Sequence, residues 1–81
     1  MYYVYVLKHP TGSRIYIGFS TDLRSRMKIH KTEHRKWRLT YYEAYASEAD
    51  ARARERRLKH YGNVQQLLKK RIMSSFADGL K

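Results

Sequence analysis

Two runs of β-branched and aromatic residues, Tyr2 to Leu7 and Ile15 to Ile17, lie on either side of the segment KHPTGSR. Pro10 and Gly12 give that segment the residues a chain reversal needs, so the runs are expected to pair as an antiparallel hairpin. A third run, RLTYYEAY from Arg38 to Tyr45, is expected to add a further strand. What separates these runs reads as helix. Ser20 or Thr21 can cap a helix reaching about Lys31, with Asp22 in its first turn, where a carboxylate complements the helix dipole. Ser47, with Asp50 three residues on, resembles a capping box and opens a second helix, for which Gly62 is the expected C-terminal cap. Asn63 can cap a third helix carrying Val64, Leu67, Leu68 and Ile72 on one face. The order ββαβαα predicts an α+β fold, a three-stranded antiparallel sheet flanked by helices. At 81 residues the chain, 1–81, is expected to form a single domain, with the stretch from Ser74 to Lys81 fraying.

Two of these helices place polar residues where apolar ones belong. At about 100° per residue, Leu23, Met27 and His30 share a narrow stripe of the first helix, and Arg26 lies beside it, one turn before His30. In the second, Glu55 falls on the face of Ala51 and Leu58, whereas Arg52, Arg56 and Lys59 point elsewhere. An unpaired carboxylate buried there would be costly. Glu55 is therefore expected either to pair with a basic residue, Lys59 standing four positions on, or to hold a divalent cation. Strand alternation puts Tyr3 and Tyr5 on one face of the first strand and Tyr2 and Val4 on the other. Tyr16 stands out among the eight tyrosines because Gly18, two residues later, can leave the backbone bare near a ligand.

Charge narrows the partner. With 18 Lys+Arg against 7 Asp+Glu, the formal net charge of +11 calls for a strongly anionic surface, and nucleic acid fits best. The longest apolar run, Tyr2 to Leu7, is too short to cross a bilayer, so no membrane role is expected. The absence of cysteine excludes a disulfide framework, a thiolate zinc site and a cysteine nucleophile, and makes a reducing cytoplasm the expected location. His30 and His34 have the i, i+4 spacing of a metal pair, a weak zinc signal in a chain without cysteine.

The motifs YVYVLK, YIGFSTDL followed by Arg26 and His30, YYEAY, and the ARERRLK stretch with Glu55 stand in this order along the chain. Together they resemble the GIY-YIG nuclease domain, in particular its small freestanding bacterial members, over roughly residues 2–72. The resemblance implies phosphodiester hydrolysis of DNA, with RNA as the alternative, assisted by one divalent cation, Mg²⁺ or Mn²⁺. By position it makes Tyr5 and Tyr16 the paired motif tyrosines, Arg26 the phosphate-binding arginine, His30 an assisting residue and Glu55 the metal ligand. The phenols compete as general base; Tyr5 is preferred here, with Tyr16 orienting water and phosphate. Three departures stand out. Tyr3 replaces the first motif glycine, Asn63 comes too soon after Glu55 to match a terminal asparagine of larger members, and KTEHRKW is short.

Around the expected site, Arg24, Arg26, Lys28, Lys31, His34, Arg35, Lys36 and Arg38 form a basic belt, with Trp37 in its midst either as a core or staple residue or to stack on an unpaired base. Such a belt binds phosphates without reading sequence. Since the resemblance supplies no separate recognition domain, cleavage is expected to be structure-directed or weakly specific, or to take its specificity from a protein partner. The rival expectation is a nucleic-acid-binding module that keeps the fold without activity.

Overall fold

The hairpin forms where the aromatic runs predicted it. In the computed structural model, which describes residues 1–11, 14–33, 36–72 and 74, β1 (Tyr2–Lys8) pairs antiparallel with β2 (Ile15–Ser20). β2 runs three residues beyond the expected Ile17, so Gly18 lies within the strand, directly opposite Tyr5. β3 (Arg38–Tyr45) pairs antiparallel with the other side of β1, giving the order β2-β1-β3. The β1–β3 register slips between Val6 and Leu7: Val6 faces Tyr41 and Leu7 faces Leu39. Thr40 is the extra residue, a bulge that leaves its side chain buried.

Three helices complete the α+β fold: α1 (Leu23–Glu33), α2 (Glu48–His60) and α3 (Gly62–Arg71). Their boundaries correct three of the expected caps. Asp22 itself closes the first turn of α1: its Oδ1 accepts from the Ser25 amide at 3.1 Å and its carbonyl accepts from the Arg26 amide. Ser20 instead supports Asp22, its Oγ accepting from the Asp22 amide at 3.0 Å. Ser47 caps α2 as expected, with the Asp50 amide donating to its Oγ at 3.3 Å. At the far end Tyr61, in extended backbone, separates α2 from α3. Gly62 is thus the first residue of α3 and not the end of α2, and Asn63 lies inside the first turn and not at the cap.

The core follows from strand alternation. Val4 and Val6 of β1 and Ile17 of β2 meet Ala51 and Leu58 of α2, Leu68 of α3 and Ile72. Tyr5 points to the other face, where α1 brings its buried His30. α1 and α2 therefore flank opposite faces of the sheet. Among the described residues, no helix is long and apolar enough to cross a membrane. His34, Arg35 and the tail 75–81 lie outside the described residues, so the expected histidine pair, the Arg35 contact and fraying of the tail concern positions on which the structure is silent.

Candidate active site

Tyr5 occupies the middle strand and is 1% exposed. Its ring lies across the bare backbone of Gly18: a Cβ built on Gly18 would come 2.8 Å from Cε1 of Tyr5, and nearer still to Cζ and the hydroxyl. Gly18 does leave space, as the sequence suggested, but Tyr5 fills it. The Tyr5 hydroxyl lies 3.0 Å from Nε2 of His30, in a buried hydrogen bond that joins β1 to α1. Burial, reinforced by the neighbouring Tyr16 phenol, pushes the Tyr5 hydroxyl up to about 12; Arg26 pulls the other way and Glu55 adds to the rise. Arg26 and Glu55, on helices flanking opposite faces, thus both act on this hydroxyl.

Tyr16 and His30 close the group. The ring centroids of Tyr5 and Tyr16 are 6.2 Å apart, and His30 stands edge-on to both, at 5.6 Å from Tyr5 and 5.5 Å from Tyr16. Tyr16 is 46% exposed, so of the two motif phenols it is the one open to solvent. Arg26 is also exposed, one turn before His30 on α1. The inward stripe of α1 is confirmed at His30, whereas Arg26 stays at its solvent edge.

Of the two roles open to Glu55, the structure contains the ion pair: Lys59 Nζ lies 3.0 Å from Glu55 Oε2. The carboxylate side chain is 16% exposed and the lysine 46%, so the pair opens outward through Lys59. Among the described residues no group of three or more His, Asp and Glu could enclose a metal ion. Glu55 remains a suitable oxygen donor for a hard divalent cation that keeps most of its waters, provided Lys59 gives way.

One residue earlier, Arg54 anchors this part of α2 to β3. Its Nε and Nη2 donate to Glu43, at 3.0 Å and 3.1 Å for the shortest contact of each. The Tyr41 hydroxyl donates to the same carboxylate at 2.7 Å, and the Tyr45 hydroxyl donates to it as well. Burial alone would raise the Glu43 carboxyl, but bonds from Arg54, Tyr45 and Tyr41 outweigh it and hold the group below its usual range. Sequence reasoning passed over this cluster. Alternation along TYYEAY, which puts Tyr41, Glu43 and Tyr45 on one face, is the signal that could have found it.

Tyr41 and Tyr45 are, like Tyr5, pushed up to about 12, chiefly by burial and then, for these two, by Glu43. A tyrosine whose folded value lies above its ordinary 10.0 favours the fold below that pH and ceases to do so as pH rises through the folded value. Unfolding free energy should therefore decline between about pH 10 and pH 12. Denaturant melts across this interval check it, and a flat profile would contradict the placement of all three phenols.

The belt is only partly gathered. Arg24, Lys28, Lys31, Lys36 and Arg38 are all exposed and Trp37 is half-buried. Arg24 lines a groove of about 450 Å³ with Tyr3, Leu23, Met27, Leu39 and Tyr42. Trp37 lines another, together with Tyr16 and Lys59.

A family model, the GIY-YIG catalytic domain, matches residues 1–72, ending at the last core residue, Ile72. The chain belongs to the GIY-YIG family. Searches among curated proteins and among solved structures return no match. The GIY-YIG match identifies a nuclease-type domain, whose substrate class is nucleic acid and whose family generally depends on a divalent metal. It covers both strands of the first hairpin, α1 and α2, the elements that carry Tyr5, Tyr16, Arg26, His30 and Glu55.

Proposed function

We propose that the chain is a divalent-metal-dependent endonuclease that hydrolyses DNA phosphodiester bonds in the cytoplasm, directed by DNA structure more than by sequence. Any tighter specificity would come from a protein partner. The observation that carries this reading is the meeting of β1, β2 and α1 at the Tyr5 hydroxyl, where Arg26 and Glu55 also act. Glu55 is the residue to hold Mg²⁺ or Mn²⁺, which accept one carboxylate together with waters and substrate phosphate. When bound, the ion supplies polarisation of the phosphoryl oxygen and offsets charge on the leaving oxygen.

The other roles follow from exposure. Arg26, at the solvent edge of α1, offers its planar fork of donors to the non-bridging oxygens. Tyr5 is buried and raised to about 12, so at neutral pH it keeps its proton and acts as a fixed hydrogen-bonding group held by His30. The role of base then passes to Tyr16, whose exposed hydroxyl can meet an attacking water. This reverses the assignment preferred from sequence, on the ground of burial. Tyr16→Phe should lower the cleavage rate by about 100-fold or more, as loss of a general base does. Tyr5→Phe, which removes one buried hydrogen bond worth about 1 kcal/mol, should lower it by about fivefold. Rates across pH compare the two; a larger loss in Tyr5→Phe, with the limb that rises with pH altered, would return the base to Tyr5.

One observation favours the rival reading of a silent binding module: Lys59 already neutralises Glu55. A nicking assay decides between them, with supercoiled, branched and single-stranded DNA each incubated with Mg²⁺, Mn²⁺ or chelator. Metal-dependent cutting of any of these supports the nuclease. Binding without cutting in either metal would leave the silent module.

A further inference from the structure

A groove of about 510 Å³ runs from the candidate active site along the outer strand β2, walled by Tyr16 on one side and by α2 and α3 on the other. Arg14, Lys59 and Lys69 line it, and among the described residues no carboxylate does. Trp37, the chain's single tryptophan, forms part of the same wall. His9 packs edge-on against the indole, with ring centroids 5.3 Å apart, and the Arg14 guanidinium lies 5.9 Å from the ring centroid. Cations spaced along an open groove, with an aromatic ring among them, are the elements that hold an unpaired nucleic-acid strand. A duplex would satisfy the cations but would keep its base faces stacked away from the indole.

We infer that this groove seats a single strand of DNA continuing from the phosphodiester at Tyr16, with its phosphates on Arg14, Lys59 and Lys69 and a base stacked on Trp37. The direction of the strand rests on the nuclease reading of Tyr16; the groove's occupancy does not. Lys59 links the two regions, because the lysine that bridges to Glu55 also lines the groove. A substrate with an unpaired segment next to the cut, such as a flap or a branch, follows as the preferred class. Arg14, Lys59 and Lys69 fall outside the Arg24–Arg38 belt read from the sequence, and come together only because β2, α2 and α3 converge.

The test uses the whole chain in chelator, so that no cleavage occurs, and a labelled single-stranded oligonucleotide followed by anisotropy. Binding should quench Trp37 emission in step with anisotropy, and a blunt duplex of the same sequence should quench it much less. Trp37→Ala should weaken single-strand binding about tenfold or more, with Trp37→Phe intermediate if the alanine variant folds poorly. Arg14→Ala with Lys69→Ala should make the log–log salt dependence shallower by about 1.4, at about 0.7 for each phosphate no longer neutralised. Unchanged Trp37 emission with the strand bound, or an unchanged salt slope in the double variant, would overturn the assignment. Quenching by a protein that never cuts supports the groove while removing the nuclease reading, so the two fail separately.

Discussion

Glu55→Ala should reduce metal-dependent cleavage by at least about 100-fold while DNA binding stays level or tightens. The expectation comes from what surrounds the carboxylate. Glu55 is 16% exposed and bonded to Lys59, so its removal frees a lysine that lines the basic groove and deletes one negative charge near the phosphates. A purely structural carboxylate would give another pattern: a loss of stability with binding and cutting reduced together. Lys59→Met separates the effects further. Without the competing ammonium, Glu55 should bind Mn²⁺ more tightly, as read by calorimetry in the absence of DNA, while single-strand binding weakens. If Glu55→Ala cuts as fast as the unaltered chain, Glu55 is not the metal ligand and the nuclease assignment loses its main residue.

Much of this arrangement is legible in the sequence, and the part that is not has a common cause. β3 and the Ser47 cap declare themselves through local residues, and the inward face of His30 follows from helical spacing. The caps around Asp22 and Tyr61 are not legible because several cap-forming residues stand close together: hydrogen bonds made by Ser20 and Ser25 decide at Asp22, and the extended backbone of Tyr61 decides between α2 and α3. The Thr40 bulge depends on which residues β1 sets opposite it. Glu55 carried two readings because both a lysine at i+4 and a cation suit a half-buried carboxylate. The two motif phenols look alike in sequence, whereas burial, which separates them, depends on α1 folding over β1. The groove that joins Arg14 to Lys59 and Lys69 is likewise a product of packing between distant segments.

Gly18 ties the fold to the chemistry most directly, and Gly18→Ala should be the most damaging small substitution in the chain. The Ala methyl would occupy the space of the Tyr5 ring, which is 1% exposed and held at its hydroxyl by His30, so the ring can move aside only by giving up that contact or displacing buried neighbours. Overpacking of this kind costs about 1–3 kcal/mol, which for a domain of this size lowers the melting temperature by roughly 4–24 °C. Even where the fold survives, displacement of Tyr5 breaks its contact with His30 and with Tyr16, so cleavage should fall further than stability alone explains. A double-mutant cycle identifies the cause. With Tyr5→Leu in place the ring is gone, and Gly18→Ala should then cost much less, leaving a coupling of at least about 1 kcal/mol between the two positions. Additive effects would mean that the glycine serves the β2 backbone instead. A large coupling would place the requirement in the cross-strand pair, so that the same bare backbone that lets the sheet close over Tyr5 also sets the phenol against His30.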